Sequence, residues 1–172
     1  MTSKFKSSIG NQILLYLPLL LLFISVFNEF DFNYLHYEYF SFNFPFILIF
    51  YWSLRKTELI GYGYIFLAGL INDVVTGFPI GISSFNYLLI CGFAAYLRTI
   101  TLRPSLIKDW FFFLFTLLVV NSLSYSALNL IFDIDLNYKN LFFNIFFTFI
   151  FYIIFANLFL FYQNKFLRET ND

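Results

Sequence analysis

The feature that most constrains this chain is the length of its apolar runs. Six blocks, at about 11–27, 42–54, 59–75, 80–97, 110–132 and 141–162, are separated by short polar connections. All but the second approach or reach the roughly 17–25 residues that a membrane-spanning helix needs. Charged residues make up 12% of the 172 residues, against about 25% in an average globular protein. The chain therefore reads as all-α: a polytopic integral membrane protein, residues 1–172 forming a single transmembrane domain and six-helix bundle with no sizeable soluble domain. Its formal net charge is zero, and no nucleic-acid partner is expected. A lone cysteine, Cys91, excludes an internal disulfide and any cysteine-based metal site.

The first block, Ile13 to Phe27, follows a short basic tail and could pass for a signal peptide. Ser25-Val26-Phe27-Asn28 offers no small-x-small cleavage site, so a retained helix is expected. From Asn28 to Asn43 the chain is acidic and aromatic, with Phe30, Phe32 and Tyr34, and then Phe40, Phe42 and Phe44, at every second position. That period suits an extended segment at the membrane interface, rings toward lipid and acids toward water. His36 stands alone there and reads as a solvated loop residue. The second block, Phe44 to Leu54, ends in Trp52, Arg55 and Lys56 and is short for a span. Either the bundle thins around a short helix, or the preceding segment continues it.

Orientation follows from the basic residues. With six spans and the N-terminus inside, Lys4, Lys6, Arg55, Lys56, Arg98, Arg103, Lys108, Lys165 and Arg168 share one side, and Lys139 alone falls on the other. Cytoplasmic loops carry such an excess of Lys and Arg, so both termini are expected in the cytoplasm.

The third and fourth blocks are separated only by Thr76 to Pro79, a connection that forces an antiparallel helical hairpin. Within it, Asp73 is the acid lying deepest in an apolar run. A carboxylate at the centre of a spanning helix costs about 2.5–3.5 kcal/mol, which makes such a residue a functional candidate. Gly61, Ile65, Gly69 and Asp73 recur at spacing four, and Gly81, Ser84, Cys91, Gly92 and Ala95 give the fourth helix a small-residue face. Small residues let helix backbones approach closely in lipid, and Gly69 and Gly81 are assigned that task. Asp73 is expected to accept hydrogen bonds from backbone N–H groups of the Thr76–Gly81 turn, with Asn72 and Asn86 as neighbours across the hairpin. Asn121, Tyr125 and Asn129 on the fifth helix, and Asn144, Thr148 and Tyr152 on the sixth, form polar stripes that must face other helices or a wet cavity.

Catalytic signatures are missing from the sequence. There is no HExxH, GxSxG or glycine-rich phosphate loop, and no second acid is available deep in an apolar run to pair with Asp73. No catalytic, metal or cofactor-binding residue is assigned, no cofactor is expected, and the chain is not expected to be an enzyme.

Tyr51-Trp52, Gly61, Gly69-Leu70-Ile71-Asn72-Asp73, Gly77, the Phe78-Pro79-Ile80-Gly81 turn, Ser84 and Tyr87 together resemble the signature of the rod shape-determining protein MreD family. In that family a Gly-Leu-x-x-Asp run precedes a glycine and then a Leu-Gly or similar pair. The resemblance covers Tyr51 to about Leu97 and departs from the pattern where Thr57-Glu58 replace a proline after the basic pair. It implies a non-enzymatic, multi-pass component of the bacterial inner membrane, acting in cell elongation with MreC. Through MreC it would work with MreB, RodA and the elongation penicillin-binding protein. The family's fold is similar to the substrate-binding subunits of energy-coupling-factor transporters. A vitamin-like small-molecule binding subunit of a membrane transporter is therefore the alternative. The partner-facing residues implied are Gly69, Asn72, Asp73, Gly77, Pro79, Gly81, Ser84 and Tyr87.

Overall fold

The helix at Phe44–Arg55 is buried on every side through Leu54, packed chiefly against the helices at Ile82–Ile100 and Tyr138–Tyr162. The computed structural model describes residues 16–27, 40–101, 105–134 and 137–167. These form six α-helices: α1 (Tyr16–Phe27), α2 (Phe44–Arg55), α3 (Tyr62–Thr76), α4 (Ile82–Ile100), α5 (Leu106–Phe132) and α6 (Tyr138–Tyr162). The start of the first apolar block, residues 28–39 of the acidic aromatic stretch with His36, and Arg103, Pro104, Asp135 and Arg168 lie outside the described residues. By length and composition, α5 and α6 are long and apolar enough to cross a membrane.

The helix starts follow from local chemistry. Asn43 caps α2, its side-chain oxygen accepting from the Phe46 N–H at 3.2 Å, and Pro45 sits in the first turn, where no amide hydrogen is needed. Asn137 caps α6 in the same way through the Lys139 N–H. The α3 boundary shifts from the expected 59 to Tyr62. Thr57–Leu59 form a 3₁₀ turn and Gly61 takes φ +64°, which stops the helix from extending backward. Helix α5 starts earlier than the apolar block, at Leu106, since Lys108 and Asp109 are accommodated in its first turn.

All residues from Phe44 to Leu54 are buried. Helix α4 packs on α2, with Tyr87 edge-on to Phe46 and the Cys91 thiol 3.1 Å from the Ser53 hydroxyl. Leu22 and Val26 of α1 join the same core. On another side, Phe40, Phe42 and Phe44 meet Phe147, Phe151 and Phe155 of α6 in turn, with ring centroids 4.7–4.8 Å apart. The rungs rise in the same direction, so α2 and α6 run parallel. This corrects the outward, lipid-facing orientation expected for Phe40, Phe42 and Phe44: the period of two is real at 40–43, but the rings stack on α6.

Twelve residues of helix rise about 18 Å, well short of an approximately 30 Å hydrocarbon core. The burial of α2 comes from the protein packed around it. The extended residues preceding it are satisfied by α6: the Asn43 N–H donates to Thr148 Oγ1 at 2.8 Å, and Asn144 Nδ2 donates to Ser41 Oγ at 3.0 Å. Backbone groups outside helices must find partners of their own, and α6 supplies one for Asn43 here.

Candidate functional site: a carboxylate-capped helical hairpin

The backbones of helices α3 and α4 come into contact at Gly69. A Cβ added there would lie 2.4 Å from Ser84 Cα and 2.5 Å from Ser84 N, so only hydrogen fits between the two backbones. Ser84 uses the contact, its hydroxyl donating to the Phe66 carbonyl at 3.1 Å.

The turn beyond the contact is shaped by two glycines. Gly77 ends α3 in the left-handed conformation at φ +71°, and Gly81 precedes α4 at φ +107°. Neither would place a Cβ within 4 Å of another atom. Gly81 is therefore not at the close approach assigned to it from the sequence. Its backbone angle is what excludes a side chain. Pro79 lies between the two glycines, and its carbonyl accepts from the Ile82 N–H at 3.3 Å.

Because Gly81 occupies the N-cap of α4 with no side chain, the cap must come from elsewhere. It comes from Asp73, eight residues earlier on α3. Asp73 Oδ2 accepts from the Gly81 N–H at 2.7 Å and Oδ1 from the Ser83 N–H at 2.8 Å. The carboxylate is fully buried. Both oxygens are aimed at the positive end of α4, where unpaired N–H groups and the helix dipole favour an anion. This arrangement explains how an acid can be buried here with no basic side chain beside it among the hydrogen bonds and ion pairs of the described residues. Asn72 Nδ2 donates to Ser83 Oγ at 2.9 Å, adding a second tie across the hairpin, while Thr76 Oγ1 donates back to the Asn72 carbonyl.

Asn86 points elsewhere. Its Oδ1 accepts from Ser124 Oγ of α5 at 2.6 Å, so it ties the hairpin to the bundle. Tyr87 is buried against Phe46 of α2 and belongs to the core. Gly92 and Ala95 do not continue the packing face: Gly92 is exposed, and the inward small residues of α4 are Ser84, Cys91 and Ala94. At the tip, Phe78 and Ile80 are exposed beside Val74 and Val75. The result is a hydrogen-bonded turn carrying apolar side chains outward.

The polar residues of α5 and α6 make several separate contacts. Asn144 and Thr148 serve the segment before α2, as described above. Asn121 Nδ2 instead donates to its own helix, at the Leu117 carbonyl, and the Tyr125 hydroxyl donates to that of Tyr138 near the α5–α6 connection. Asn129 lies one turn further along α5, toward the same end.

At the opposite end of the bundle lies a feature that sequence reasoning missed. Asp109, in the first turn of α5, is buried to 1% exposure and pairs with Arg55 Nη2 of α2 at 2.7 Å. Arg55 also lies over the Tyr51 ring, 6.0 Å from its centroid, and the Tyr51 hydroxyl donates to Gln163 Oε1 at 3.3 Å. The available signal was Asp109 itself, an acid directly preceding Trp110 and sitting among basic residues. The apolar block begins one residue later, at Trp110, so its limits leave Asp109 out and its burial does not show.

Comparison with protein-family models, with curated proteins and with solved structures returns no match to this chain.

Proposed function

We propose that this chain is a non-enzymatic, multi-pass scaffold of a bacterial inner membrane, both termini cytoplasmic, acting in the cell-elongation machinery as MreD-like proteins do. The observation that carries the reading is the Asp73 clasp. The aspartate of the Gly-Leu-x-x-Asp run holds the hairpin turn through two backbone N–H groups, and the turn presents Phe78 and Ile80 outward. A site built for chemistry needs reactive groups converging on a space for substrate. Here the one buried carboxylate of the hairpin is consumed in fixing backbone.

Membrane insertion is supported by the outer surfaces of the long helices, which expose Leu130, Ile131, Phe142, Leu158 and Phe161. So many exposed apolar side chains are unfavourable in water and suited to lipid. Orientation is supported by the placement of charge: Arg55, Lys56, Arg98, Lys108 and Lys165 lie at the ends of α2, α4 and α6 and the start of α5, and Lys139 lies at the opposite end. The hairpin tip then faces the periplasmic side. The partner proposed for it is MreC, and through MreC the bundle would be coupled to MreB, RodA and the elongation penicillin-binding protein.

Affinity purification in mild detergent from its native membrane tests the reading. A single-span protein with a periplasmic coiled coil should co-purify, and the Asp73→Ala chain should retain less of it at equal membrane abundance. Co-purification of a pair of ATPase subunits instead would overturn the scaffold reading in favour of a transporter's small-molecule binding subunit.

A further inference from the structure

Helix α4 carries an apolar groove on its outer face. A cavity of about 650 Å³ is lined there by Phe85, Leu88, Leu89, Gly92, Phe93 and Tyr96. The spacing of Phe85, Leu88, Gly92 and Tyr96 puts them on one side of the helix, and all four are exposed. Gly92 leaves the floor open, since a Cβ added there would meet nothing within 4 Å. It lies inside α4 without a positive φ, and the close contact with α3 is made at Gly69 instead. Glycine inside a helix is destabilising relative to alanine, so an open floor at this position calls for an occupant.

The rim of the groove narrows what that occupant is. Close packing of a second transmembrane helix, from another copy or from a partner, uses small residues at spacing four. The residues four before and four after Gly92 are Leu88 and Tyr96, which would hold a helix backbone away. An extended hydrocarbon chain needs no such seam. A cation stands at the inner end of the groove. Two contacts, Asn86 with Ser124 and Phe93 with Phe115, set α4 and α5 antiparallel, and the same register continued brings Lys108 opposite Ile100. Lys108, Phe111 and Phe115 recur at i, i+3 and i+7 on the α5 face that meets Phe93, and all three are exposed. Lys108 has no ion pair among the described residues. From Ile100 back to Leu89 the helix rises about 16 Å. That is close to the roughly 15 Å of hydrocarbon in one leaflet.

We infer that the groove holds one acyl chain of an anionic glycerophospholipid from the leaflet at the basic end of the bundle, with the lipid phosphate paired to Lys108. The inference rests on the membrane reading above. The chain runs from Lys108 past Tyr96, over the floor at Gly92, and on toward Leu88. The ammonium group selects an anionic headgroup over a zwitterionic one, because the attraction acts close to the membrane surface. The hydrocarbon supplies the contacts that the absent side chain of Gly92 leaves unmade. Binding is non-covalent, and it leaves both the Asp73 clasp and the Arg55–Asp109 pair as they are.

Native mass spectrometry of the full chain in mild detergent tests the site, with phosphatidylglycerol and phosphatidylcholine titrated separately. Wild type should retain one phosphatidylglycerol more tightly than phosphatidylcholine. Gly92→Leu fills the floor and should weaken both lipids about tenfold, the equivalent of about two methylenes displaced. Its side chain enters open space, so its Tm should match or exceed that of wild type, and Gly92→Ala should weaken binding by a smaller factor. Lys108→Gln should weaken phosphatidylglycerol about fivefold and leave phosphatidylcholine unchanged. Two controls should change neither lipid: Gly63→Leu, at an exposed glycine of α3 with open space beside it, and Lys165→Gln, just beyond α6 at the same end of the bundle. Unchanged binding in Gly92→Leu, or equal losses in the two controls, would overturn the site and leave only a diffuse lipid shell. A dimer that Gly92→Leu abolishes would overturn it in favour of a second copy. Failure of the membrane reading would look different, since the chain would then stay folded in buffer without detergent.

Discussion

Replacement of Asp73 by asparagine is the sharpest single perturbation of the hairpin. Asparagine keeps the size and polarity of the side chain, yet the geometry forbids it from acting as a substitute. Both Asp73 oxygens accept from backbone N–H groups, at 2.7 and 2.8 Å. An amide has one oxygen, and its NH₂ group would face a second donor, so one bond is lost and one N–H is left buried beside another. Hydrogen bonds to a charged group contribute about 1.5–3 kcal/mol each, and a buried unmet donor costs about 1–3 kcal/mol. Removing the charge also removes the cost of burying it, which offsets part of the loss. The expected net destabilisation is about 2 kcal/mol for Asp73→Asn and about 3–4 kcal/mol for Asp73→Ala, which loses both acceptors. For a chain of this size each kcal/mol corresponds to roughly 2–4 °C in Tm. Melts followed by near-ultraviolet circular dichroism in one detergent should therefore rank wild type above Asn above Ala. Asparagine melting with wild type would refute the reasoning, because it would show that the second oxygen does nothing.

Three further outcomes follow from neighbouring residues. Gly69→Ala should destabilise the fold by about 1–3 kcal/mol, since its Cβ would meet Ser84 backbone, whereas Gly92→Ala should be neutral or stabilising by up to about 1 kcal/mol; matched melts of the two variants check this contrast. Gly81→Ala should cost about 1–3 kcal/mol through backbone strain at φ +107°, with no repair from shrinking Ser84 to Gly, which would rescue a steric clash but not a strained angle. Thr148→Val removes the acceptor for the buried-side Asn43 N–H and should cost about 1–3 kcal/mol, with hydrogen exchange rising at the start of α2.

Much of the hairpin could be read from the sequence because its determinants are local. A connection as short as Thr76–Pro79 leaves two helices no choice but to return, and an acid one turn before the C-terminus of α3 is within reach of the next helix's free N–H groups. The place of α2 was not legible. Span length is a rule about helices that face lipid, and α2 faces protein on all sides, so its brevity carries no penalty. The same surroundings turned Phe40 and Phe42 inward, since periodicity gives the face a ring occupies but not what lies opposite. Gly81 was misjudged because a glycine at a packing contact and one at a positive φ look alike in a sequence. Spacing alone also cannot separate Asn121, which bonds back to its own helix, from Asn144, which reaches a neighbouring segment.

Cysteine accessibility in intact cells tests the central claim, that the helices cross a membrane with their basic ends inside. Single cysteines at Lys56, Lys139 and Lys165, in a chain whose Cys91 is replaced by serine, should divide cleanly. Position 139 should react with a membrane-impermeant maleimide added outside, and positions 56 and 165 only after the cells are opened. Reaction of position 56 from outside, or equal reaction at all three, would contradict the arrangement and remove the periplasmic placement of the Asp73 hairpin.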